Sequence, residues 1–161
     1  MLAIDLASEP SEAVAILIGE LEAVLAAEYP AEQRHGLALQ AIFQPHIRFF
    51  LARLDGEPVG CGGVALFPEF AEVKRMYVRI KARGQRVAEA LLSRIEEETR
   101  AAGLVVLRLE TGTAQKAAMR LYEKAGFRLR DAFPPYARMP PEAIAGSLFY
   151  EKRLLAEGAL S

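Results

Sequence analysis

The segment Val78-Arg-Ile-Lys-Ala-Arg-Gly-Gln-Arg-Val-Ala88 sets Lys81, Arg83 and Arg86 around Gly84, between a β-rich run and a helical one. A helix start presents unpaired N–H groups and the positive end of its dipole, so such a loop can seat a pyrophosphate. The same residues would also serve as a solvated basic turn. Upstream, Glu72 reads by residue type as a strand carboxylate paired with Lys74 or Arg75. Tyr122 shares a helix face with Ala118 and Ala125 and so turns inward, as a core tyrosine would. Cys61 lies among glycines with no neighbouring base, which is the setting of a packed thiol. With only His35 and His46 beside that one cysteine, no Cys/His cluster has metal-ligand spacing, and no metal is expected.

These residues need a scaffold, and the chain of 161 residues has the length of one domain, 1–161, without repeats or linker composition. Apolar residues at 52% and charged residues at 25% are those of a globular protein. Twenty Lys and Arg nearly cancel 21 Asp and Glu, so the overall field favours neither nucleic acid nor an anionic membrane. Without a run of about 20 apolar residues or a basic leader, a cytoplasmic location is expected.

Val14, Leu17, Ile18, Leu21 and Leu25 recur at helical spacing after a short apolar start, Leu2 to Ala7. A second helix is expected over about Glu32 to Phe43. The period then changes to β-rich runs, Ile47 to Leu54, Glu57 to Phe67 and Ala71 to Val78, broken at Asp55-Gly56 and Pro68-Glu69. A helix over Gly84 to Ala102 presents Ala88, Leu91, Leu92, Ile95 and Ala102 on one face and ends at Gly103. Leu104 to Glu110 is apolar enough for a central strand. A helix over about Gln115 to Ala125 follows, then strands at Phe127 to Arg130 and Ser147 to Leu154. The order is β-α-α-β-β-β-α-β-α-β-β, an α/β (α+β) fold.

Three segments together resemble the GNAT acetyltransferases. Arg83-Gly84-Gln85-Arg86-Val87-Ala88 looks like the family's acyl-CoA pyrophosphate motif, with Arg86 where the family has a glycine. Phe70 to Val78 is similar to its fourth strand. Thr113 to Phe127 resembles the segment that carries its tyrosine, with Gln115 in place of the usual Asn. The matches cover roughly residues 57 to 130 in the family's order. The resemblance implies a mixed, mostly antiparallel sheet, splayed between the strands ending at Val78 and Glu110 to hold acetyl-CoA, with no metal.

The implied site follows residue by residue. Amides near Met76, Tyr77 and Val78 hold the thioester oxygen. The loop from Arg83 to Ala88 (Arg83, Gly84, Gln85, Arg86, Val87 and Ala88) binds pyrophosphate, and Gln115 and Tyr122 also contact the cofactor. Glu72, or water, is the general base and the Tyr122 hydroxyl assists the leaving thiolate. Glu110, Thr111 and Tyr136 line the acceptor pocket. The implied activity is direct acetyl transfer to a primary amine on a small molecule. A protein amine and a CoA-binding module without turnover are the alternatives, and a homodimer is left open.

Overall fold

The computed structural model describes residues 1–155; residues 156–161 of the expected domain lie outside the described residues. The chain runs β1 (Leu2–Ala7), α1 (Glu12–Glu28), β2 (Ile47–Leu54), β3 (Glu57–Leu66), β4 (Ala71–Val78), α2 (Val87–Ala101), β5 (Val106–Gly112), α3 (Lys116–Lys124), β6 (Arg128–Arg130) and β7 (Ser147–Arg153). The strands form one sheet in the order β1-β2-β3-β4-β5-β7-β6. Every pairing is antiparallel except β4 with β5.

Helices on both faces explain why β2 is apolar almost throughout. Phe49 and Leu51 pack with Val14, Leu17 and Ile18 of α1. Their neighbours Phe50 and Ala52 share a cluster with Leu91, Leu92 and Ile95 of α2. A strand buried on both sides loses the polar alternation of a one-sided sheet. Asp55 and Gly56 join β2 to β3 with φ of 50° and 85°, the paired positive values of a tight hairpin turn.

The expected second helix is corrected. Residues 32–43 hold two 3-10 turns, Ala31–Gln33 and Gln40–Phe43, joined by non-helical chain. Ile42 is the one buried residue of those two turns, and Leu37, Leu39 and Phe43 pack partly buried on the same cluster as α1 without a continuous helix. Its path follows Arg75, whose Nε donates to the Leu37 carbonyl at 2.9 Å. At Gly36 a Cβ would stand 2.2 Å from the Arg75 guanidinium, so a side chain there would collide with it.

Two irregularities shape the centre of the sheet. The parallel pairing of β4 with β5 is confined to Ala71 with Leu107 and Glu72 with Arg108. Beyond it the strands part, β4 staying on β3 to Val78 and β5 on β7 to Gly112. β4 also carries a bulge: Lys74 faces Gly63 and Tyr77 faces Cys61, leaving Arg75 and Met76 opposite Gly62. Arg75 absorbs the extra residue with φ of 55°. The bulge shifts the side-chain phase, so Val73, Met76 and Val78 all lie against the α2 cluster while Tyr77 packs on the α1 side.

Candidate active site

The splay between β4 and β5 opens a cleft with two chambers. The first, about 1300 Å³ of empty space with its solvent mouth included, is bounded by Met76, Tyr77 and Val78, by Arg83, Gly84, Arg86, Val87 and Ala88, and by Gln115 and Tyr122. Gly84 and Arg86 both have left-handed backbone, φ 83° and 64°, which turns the chain into α2 three residues later than the apolar pattern implied. No side chain caps the α2 N-terminus. Its first N–H groups therefore lack a side-chain acceptor and face a basic loop, which suits a phosphate.

The second chamber, about 810 Å³ measured the same way, lies beside the first and carries two carboxylates, Glu72 and Glu110. Its walls include Tyr29, Arg34, His35, Glu72, Lys74, Glu110, Thr111 and Tyr136. Met76, Gln115, Ala118 and Tyr122 border both chambers, so any group passing from one to the other passes these side chains. Tyr122 is 5% exposed. Burial first, and the charge of Glu110 second, hold its phenol well above the usual range, so it stays a neutral O–H donor.

The two carboxylates of the second chamber differ in their partners. Glu72, 2% exposed, accepts from the Tyr136 hydroxyl at 2.6 Å and pairs with Lys74 Nζ at 2.9 Å, both through Oε2. Lys74 also donates to the Tyr136 hydroxyl at 2.9 Å, which closes a triangle. Burial, then the charge of Glu72 and the hydrogen bond to it, keep Tyr136 protonated. Glu110 instead accepts from Ser147 Oγ at 2.6 Å. Burial raises its carboxyl above the usual range; the Ser147 bond and the charges of His35 and Lys74 oppose that shift, and Glu72 adds to it.

The cleft brings together every site residue that the resemblance implied except Gln85, whose exposed side chain donates to the Lys81 carbonyl at 3.4 Å; Lys81 of the basic loop pairs instead with Glu57 at 2.8 Å. The Tyr77 hydroxyl turns away to Glu20 at 3.0 Å. Cys61 is fully buried, and burial pushes its thiol up to about 12, which leaves it unreactive. Sequence reasoning missed Tyr29, Arg34 and His35. The Tyr29 hydroxyl accepts from the Ala114 N–H at 2.8 Å and holds the turn after β5. His35 Nε2 donates to the Ala143 carbonyl at 2.7 Å and its ring meets Tyr136 edge-on at 5.5 Å. Gly36, an unfavourable helix residue, was the available signal that this segment is a wall and not a helix.

Comparison with known proteins agrees with the geometry. The family model for the acetyltransferase (GNAT) family matches residues 17–127. A relative from Azospirillum brasilense, named IAA acetyltransferase, is 48% identical over 145 residues, spanning 89% of this chain and 92% of its own. A solved structure from Klebsiella pneumoniae, described as an acyl-CoA N-acyltransferase, is 33% identical with a TM-score of 0.77 and coverage of 96% and 99% of the two chains. A GNAT family acetyltransferase from Elizabethkingia anophelis, solved with acetyl-CoA bound, has the same fold at 19% identity and a TM-score of 0.67, over 95% of this chain and 98% of its own. With a matched model over most of its length and a close relative over nearly all of it, the chain belongs to the acetyltransferase (GNAT) family.

Proposed function

We propose that this acetyltransferase transfers the acetyl group of acetyl-CoA to a primary amine of a small molecule by direct attack. The observation that carries the reading is the meeting of a basic-mouthed chamber and a carboxylate-bearing one at Met76 and Tyr122. Acetyl-CoA supplies the acetyl group already activated as a thioester. The uncapped start of α2, with Arg83 and Arg86 beside it, fits its pyrophosphate. The open edge of β4 beyond Glu72 fits an extended amide-bearing arm, which could pair there as a strand would.

In this reading the bulge at Arg75 and Met76 frees backbone N–H groups to hold the thioester oxygen as it gains charge. Tyr122 gives its proton to the departing sulfur as the C–S bond breaks. A carboxylate takes the proton that the ammonium loses. Glu72 was the expected base, but its Oε2 is occupied by Lys74 and Tyr136. Glu110 has no cation in contact among the described residues and a carboxyl raised by burial, closer to the amine it would deprotonate. We assign it the base role and give Glu72 the task of holding Lys74 and Tyr136.

The relative's printed name, IAA acetyltransferase, supports a small acceptor, as does a chamber walled by the 3-10 segment and the Tyr136 loop. The test is release of free CoA thiol from acetyl-CoA with a panel of small amines and a lysine-bearing peptide. Acceleration by small amines alone supports the reading. Acceleration by the peptide alone moves the acceptor to protein, and CoA binding without any acceleration leaves a binding module.

A further inference from the structure

We infer that the acceptor amine also carries an oxyanion, a carboxylate or phosphonate, and that Arg34 receives it. The inference rests on the amine-acetylation reading above and names the class of acceptor. Three charged residues of the second chamber, Glu72, Lys74 and Arg75, have their partners within the protein. Arg75 is held by Glu22 and by the Leu37 carbonyl, and Lys74 by Glu72. Arg34 is different. It borders the chamber, makes no ion pair among the described residues, and its Nε is buried without a hydrogen-bond partner.

A buried N–H without an acceptor forfeits about 1–3 kcal/mol, more when the group is charged, so such a donor is either a defect or a site waiting for its ligand. The guanidinium is a planar fork that matches a carboxylate or phosphonate with two parallel hydrogen bonds. Glu110 is its counterpart on β5: a half-buried carboxylate in the same chamber with no cation in contact among the described residues. An unpaired cation on the 3-10 segment and an unpaired anion on β5 together complement a zwitterion, with its ammonium at Glu110 and its oxyanion at Arg34. A neutral-tailed amine would leave the buried Arg34 Nε unmatched.

Thiol release is measured for L-amino acids, for their carboxamides and for 2-aminoethylphosphonate, with wild type, Arg34→Met and Arg34→Lys. Wild type should use the acids or the phosphonate with kcat/KM at least about tenfold above the carboxamides, a gap of about 1.4 kcal/mol. Which oxyanion is preferred separates the carboxylate from the phosphonate. Arg34→Met should erase the preference through KM and leave the carboxamide rates as they were, and Arg34→Lys should restore part of it. Acetyl-CoA binding by each variant checks that it has folded; should Arg34→Met fail that check, the wild-type comparison and Arg34→Lys carry the test. Equal use of acid and carboxamide by wild type, or a loss in Arg34→Met shared by both, overturns the inference while the transferase reading stands. No thiol release from any amine overturns both.

Discussion

Tyr136 donates to Glu72 at 2.6 Å across the chamber floor, and the same hydroxyl accepts from Lys74 at 2.9 Å. One phenol therefore shares an ion pair between two residues of β4, and it comes from a loop 64 residues further along the chain. Removing that hydroxyl leaves a carboxylate that is 2% exposed with one donor fewer. Tyr136→Phe should lower unfolding free energy by about 1–3 kcal/mol in a urea titration. It should also raise the acceptor KM, with acetyl-CoA affinity unchanged. Unaltered stability would mean that Lys74 alone satisfies Glu72.

Tyr122→Phe should lower kcat by about 10²-fold, the usual scale for losing a positioned acid, with acetyl-CoA binding within about twofold of wild type. Because burial and Glu110 hold the phenol well above its usual range, Tyr122 stays protonated through an ordinary assay. It should therefore contribute no basic limb to the pH–rate profile. A wild-type rate in Tyr122→Phe would assign proton delivery to water.

Glu110 makes the pH dependence specific. Its folded carboxyl lies above the ordinary 4.5, so the folded protein holds that proton at pH values where the unfolded chain has released it. The resulting contribution to stability is fully present below about 4.5 and is lost as pH rises towards the raised folded value. Glu110→Gln should flatten stability against pH in that window. It should also remove the acidic limb of kcat/KM, which in wild type lies above the normal glutamate range. If Glu72→Gln removes that limb and Glu110→Gln leaves it, the base is Glu72.

How far the sequence foresaw this site depends on the kind of signal each part leaves. β2 and β4 fall where their β-rich runs and the Asp55-Gly56 turn put them, because burial on one or both faces writes itself into residue type. The walls of the first chamber were legible from three ordered segments, and the inward turn of Tyr122 from its helical spacing to Ala118. Arg75 was not: its positive φ creates the bulge, yet no glycine marks the place. The 3-10 segment misled because Leu39, Ile42 and Phe43 have helical spacing and pack on one cluster, yet tertiary contact with Arg75 decides the path of the chain before them. Arg34 and His35 gain meaning only from walls contributed by β4 and β5, which no local pattern can report.

Arg86, the motif's departure from glycine, offers the last test because its backbone and side chain pull in opposite directions. At φ 64° and ψ 22° it occupies the left-handed region that costs an ordinary residue about 1–2 kcal/mol. Glycine removes that cost but adds freedom to the unfolded chain, worth roughly 0.4–1 kcal/mol. Arg86→Gly should therefore raise the unfolding free energy, by at most about 1.6 kcal/mol, the difference of those two effects. The exposed guanidinium at the start of α2 is lost at the same time, and the acetyl-CoA KM should rise several-fold, more at low salt than at high. A gain in stability with an unchanged KM would mean that the backbone N–H groups bind the phosphates without the side chain. A loss of stability would mean that Arg86 makes contacts outweighing its backbone strain, and glycine at this position would then be no improvement for this chain.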